Sequence, residues 1–147
     1  MCQEVRKICK CGKHSARFHL RDNILSPEVI SELYCPQCSQ LLDIDPATMV
    51  MDNGWVIEYD MDLARFMAIS KLTVDAELVQ PDYIFDRGYA CWLEMYPGEK
   101  EDILEERAEI MQLQQRDPSN YLRKITSWNI ARIERLKAAG WRKALAA

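Results

Sequence analysis

Two short-spaced cysteine pairs constrain this chain more than any other feature: Cys9 and Cys11 in "KICKCG", and Cys35 and Cys38 in "YCPQC". Twenty-three residues lie between the pairs. Four thiolates held about 2.3 Å from one zinc ion satisfy its tetrahedral preference, and each short pair supplies two ligands without the entropy of closing a long loop. The opening residues "MCQEVRKICK" lack the apolar core of a secretory signal, and no run approaches the roughly 18 apolar residues that cross a bilayer. The expected setting is therefore cytoplasmic, where thiols stay reduced and paired cysteines serve metal better than disulfides.

At these residues the sequence resembles the zinc-ribbon group. "CKCG" looks like a first knuckle with its trailing glycine, and "YCPQCS" looks like the second; the likeness covers no more than residues 1–59. It implies one structural Zn2+ held by Cys9, Cys11, Cys35 and Cys38. "CPQC" follows the group's pattern of two residues between ligands, whereas "CKC" has only Lys10 between them. "CGKH" would restore the two-residue gap, so Cys11 with His14 in place of Cys9 is the alternative ligand set. A tetrahedral sulfur site also accepts iron, which leaves a rubredoxin-like electron carrier as an alternative to structural zinc. Four thiolates leave no open position for water, so the metal is expected to be structural and the chain not an enzyme. No zinc-protease helix motif, phosphate-cradling glycine loop or serine elbow is present in the sequence.

Periodicity divides the rest. "ARFHL" alternates Ala16, Phe18 and Leu20 with Arg17 and His19, a half-buried strand with His19 facing solvent. "LSPEVISELY" reads as a two-turn helix capped by Ser26 with Pro27 in the first turn, and "NGWVIEYD" as an Asn53-Gly54 turn leading into a strand. From residue 60 the period becomes helical. "DMDLARFMAISKL" places Leu63, Phe66, Met67 and Ser70 on one face behind an Asp60 or Asp62 cap. "PDYIFDRGYACWLEMYPG" spaces Tyr89, Trp92, Leu93 and Tyr96 as a second helix, which makes Cys91 a buried filler. A third helix over residues 99–115 points Ile103, Leu104, Ala108 and Met111 inward. A fourth, capped by Ser119, carries Leu122, Ile125, Trp128 or Asn129, Ile133 and Leu136, and stops at Gly140. The fold class is α+β: a small ribbon of short strands over residues 1–59, then a three- to four-helix region over 60–147, either separate or packed with the ribbon as one unit.

Charge bears on the partner. Residues 43–106 hold sixteen acidic against four basic side chains, and residues 107–147 nine basic against three acidic. The acidic turns "DIDP" and "YDMDL" lack the regular ligand spacing of a calcium loop and read as caps and solvated turns. A basic last helix favours nucleic acid, but the acidic centre and a pI near 5.2 oppose it. The expected partner is another protein, with Trp128 and Trp141 as anchors if exposed; a nucleic-acid-linked regulator is the runner-up.

Overall fold

The computed structural model describes residues 2–146. The chain forms two compact units, one running to Leu93 and one from Glu94 onward. The first holds β1 (Gln3–Ile8), β2 (Ser15–Leu20), β3 (Ile30–Tyr34), α1 (Pro36–Ser39), β4 (Met49–Asp52), β5 (Trp55–Tyr59), α2 (Met61–Leu72), α3 (Pro81–Asp86) and β6 (Ala90–Trp92). The second holds α4 (Glu99–Glu106), α5 (Ala108–Met111), α6 (Leu113–Arg116), α7 (Pro118–Ala139) and α8 (Arg142–Ala146). The α+β class expected from the sequence is the class observed. The change of period after residue 60 does not coincide with the division into units, which falls after Leu93.

Two antiparallel sheets build the first unit, in strand orders β1-β2-β6 and β3-β5-β4. In β2 the alternation holds: Ala16, Phe18 and Leu20 are buried, while Arg17 and His19 stand on the other face. The β4–β5 hairpin turns on Asn53 and Gly54, both at positive φ, the geometry that suits a two-residue turn to the strand twist. A Cβ at Gly54 would also come within 3.2 Å of the Pro36 side chain, so glycine lets this turn close onto α1.

Trp92 sits at the centre of the core, with Phe18, Trp55 and Phe85 at ring distances of 5.2, 5.9 and 5.8 Å. Its indole N–H donates to buried Asp52 at 2.8 Å, and the Tyr59 hydroxyl donates to the Ala90 carbonyl at 2.6 Å. These two bonds tie β6, in one sheet, to β4 and β5 in the other. Both polar groups are satisfied, so burying them costs little.

Several expected elements differ. Residues 81–96 do not form one helix: α3 ends at Asp86, Gly88 turns the chain at φ 78°, and β6 follows with Ala90, Cys91 and Trp92 all buried. Cys91 is buried as expected, but on a strand opposite His19. Between the cysteine pairs, Pro27–Val29 makes a single 3-10 turn and Ser26 makes no side-chain cap. The chain then extends into β3 because Ile30, Leu33 and Tyr34 find buried sites beside β5. Helix α2 is capped by Asp60, which accepts from the Leu63 N–H at 3.1 Å. Its buried face is Met61, Ala64 and Ala68, with Leu63 and Met67 half-buried against the core and Phe66 70% exposed.

In the second unit, residues 99–116 form three short helices, α4, α5 and α6. Leu104, Met111 and Leu122, expected inward, are exposed. Asp117 rather than Ser119 caps α7, accepting from the Asn120 N–H at 3.2 Å with Pro118 in the first turn. Gly140 at φ 86° ends it as expected, and the Trp141 N–H reaches back to the Leu136 carbonyl. Arg132 occupies a buried position on α7, paired with Glu99 and lying over the Trp128 ring.

Candidate metal centre

Each cysteine pair sits on a turn whose backbone points both sulfurs the same way. The first turn joins β1 to β2. Cys9 N–H donates to the His14 carbonyl at 2.7 Å, closing the ladder, and Gly12 N–H donates to the Cys9 carbonyl at 2.8 Å. Gly12 lies at φ 78°, a conformation open to glycine at no steric cost. The second turn is α1: Pro36 fills the first helical position, where its missing N–H is not needed, and Ser39 N–H donates to the Cys35 carbonyl at 2.9 Å. One helical turn places Cys35 and Cys38 on a common face.

The turns are stitched together by backbone. Lys10 N–H donates to the Leu33 carbonyl at 3.1 Å, so the single residue inside "CKC" is the one that anchors the first turn to β3. Its ammonium lies 5.9 Å from the centre of the Tyr34 ring.

The result is a group of four sulfurs, Cys9, Cys11, Cys35 and Cys38, all within 4.8 Å of one another. Cys9 and Cys11 are 3.5 Å apart, Cys9 and Cys38 3.6 Å, and Cys11 and Cys35 3.9 Å. A tetrahedron of sulfurs at about 2.3 Å from a central ion has edges of about 3.8 Å, so the donors are spaced for one ion. The distances are far from a disulfide, and all six cysteines are free. Cys9 and Cys35 are buried, Cys38 is half-buried and Cys11 is exposed. His14 is exposed and is not in the group.

Electrostatics prepare the sulfurs unequally. Lys13 N–H approaches the Cys11 sulfur at 3.5 Å and is the largest influence bringing that thiol down to about 7. Cys38 is pushed up to about 12, first by its hydrogen bond with Cys9 and then by desolvation. Burial raises Cys9, against the lowering effect of the Cys35 N–H, which reaches its sulfur at 3.1 Å. Of Cys9, Cys11 and Cys38, Cys11 is therefore the sulfur readiest to act as a thiolate, and backbone donors to Cys9 and Cys11 are the kind of outer contact that orients metal ligands. This four-cysteine group can hold a metal ion.

Sequence reasoning missed the supporting groups: the Lys10, Lys13 and Cys35 amides and the Leu33 carbonyl. Backbone groups carry no residue-type signal, and only Gly12 hinted at the turn that aims them. The other candidates do structural work. Asp60 caps α2, and Asp45 of "DIDP" accepts from the Ala47 N–H at 2.9 Å. Trp141 stacks on Tyr96 at 5.1 Å, and Trp141 and Trp128 are half-buried. No helix among the described residues is long and apolar enough to cross a membrane. Comparison with protein-family models, with curated proteins and with solved structures found no match to this chain.

Proposed function

We propose that this chain is a zinc-binding, non-catalytic protein in which Cys9, Cys11, Cys35 and Cys38 ligate one structural Zn2+ in a ribbon-like module, and that it serves as an interaction module or accessory subunit of a larger assembly. The observation that carries the metal reading is the spacing of the four sulfurs, contributed in pairs by two turns that β3 and the β1–β2 hairpin hold together. An ion there would cross-link the turns directly, and with four thiolates as ligands it has no position left for substrate water. Ligand binding of this kind is folding free energy, on the order of 10 kcal/mol for a structural zinc.

The interaction role is supported by the second unit. Among the described residues its buried apolar side chains are Leu136 and Ala144, while Leu104, Met111, Leu122, Ile130 and Leu145 remain exposed. So much exposed apolar surface, on α7 as well as on the shorter helices, is what a partner protein would cover. The test is metal analysis joined to native co-purification. A colourless protein with one zinc per chain and a stoichiometric protein partner is expected. A red or brown iron-loaded sample would replace this reading with the rubredoxin-like one, and retention on nucleic acid with a steep salt dependence would favour the regulator.

A further inference from the structure

β1 is the outer strand of its sheet, with β2 as its one sheet neighbour among the described residues. Its residues Gln3, Glu4, Arg6 and Ile8 are exposed, Ile8 to 66%, and Val5 is half-buried against the core. The Cys9–His14 pair continues the β1–β2 register and bonds through the Cys9 N–H. Because antiparallel bonds alternate along a strand, Gln3, Val5 and Lys7 turn their amides toward β2 as Cys9 does. Glu4, Arg6 and Ile8 turn theirs outward, along the open edge.

An open edge invites another strand, and proteins usually discourage this with charge. Here the signs are arranged selectively. In an antiparallel pairing of β1 with a second β1 about a two-fold axis, outward residues must face outward residues. The two registers of greatest overlap that meet this condition centre on Val5 and Arg6, and the next two on Glu4 and Lys7, the last of which sets ammonium against ammonium. Centring on Glu4 sets carboxylate against carboxylate, and centring on Arg6 sets guanidinium against guanidinium. Centring on Val5 places Glu4 opposite the second copy's Arg6 and Arg6 opposite the second copy's Glu4. The two valines then meet on the axis, on the face of the sheet that packs against the core.

We propose that β1 is a dimerisation edge: a second copy of this chain pairs antiparallel with it about a two-fold axis at Val5, joining two three-stranded sheets into one of six strands. The occupant is a second copy rather than an unrelated strand because the edge is complementary to itself in this one register. The Arg6 Nε bond to the Ser15 hydroxyl of β2 at 3.0 Å uses one guanidinium N–H and leaves the others for Glu4 of the second copy.

Charge reversal tests the register directly, with the full chain purified under native, reducing conditions. Light scattering across a concentration series should show a dimer for the unaltered chain. Glu4→Arg and Arg6→Glu should each weaken self-association about tenfold or more, because each turns two attractive pairs into two repulsive ones. Circular dichroism should be unchanged, since both side chains are exposed. An equal mixture of the two variants should dimerise again, because one variant then carries arginine at both positions and the other glutamate at both. A monomeric unaltered chain, variants that self-associate as well as it does, or a mixture that stays monomeric would each overturn the proposal.

Discussion

The two units bury their side chains very differently. In the unit ending at Leu93, a continuous core runs from Ala16 to Trp92, drawing on both sheets, α2 and α3. In the unit starting at Glu94, the buried residues among those described are Glu99, Arg132, Leu136 and Ala144, half of them charged. One unit is a packed interior with a cysteine group at its margin; the other is a set of helices held by caps, stacking and one buried ion pair. The difference teaches where each is vulnerable: the first to lost ligands or lost volume, the second to lost charge balance.

Four tests sharpen this contrast, in falling order of effect. On the proposed zinc cross-link, replacing buried Cys35 by alanine (Cys35→Ala), or treatment with a chelator, should destabilise the first unit by more than about 5 kcal/mol, because structural zinc binding is itself folding free energy. Near-ultraviolet dichroism from Trp92 and Trp55 should collapse while helical signal from α7 persists. Next, Trp92→Ala empties the core centre and should cost about 3–5 kcal/mol, read by denaturant unfolding, against about 2–3 kcal/mol for Leu136→Ala in α7. Equal costs would erase the distinction between the units.

The buried pair comes third. Glu99→Gln leaves Arg132 buried without its countercharge and should cost about 3 kcal/mol, whereas replacing both by apolar residues should recover most of that loss. Failure of the double variant to recover would mean the pair supplies more than neutralisation. Last, Glu106→Ala removes the exposed partner of Arg135, two bonds of 2.9 Å between side chains open to solvent, and should change stability by less than about 0.5 kcal/mol.

What the sequence made legible follows the same physics. The cysteine pairs, the Asn53-Gly54 turn, the alternation of β2, the Asp60 cap and the Gly140 stop are local signals, fixed by the residues that display them. Residues 81–96 misled because Tyr89, Trp92, Leu93 and Tyr96 recur at helical spacing. A strand buried on both faces shows no alternation to contradict that, and only the Asp52 and Tyr59 side chains, about 30–40 residues away, reveal why β6 belongs where it does. Ile30 to Tyr34 failed as a helix for a related reason, since pairing with β5 outweighs the capping signal of Ser26-Pro27. At the four-cysteine group the candidate donors were readable by type and spacing. The amides that orient them were not, because they belong to the backbone.

The central claim is that four sulfurs hold one zinc as a cross-link of the first unit. Metal content per chain, measured on protein purified natively under reducing conditions, tests it most directly. The account predicts one zinc per chain, abolished by Cys35→Ala. Iron in its place, or a folded chain carrying no metal, would contradict it.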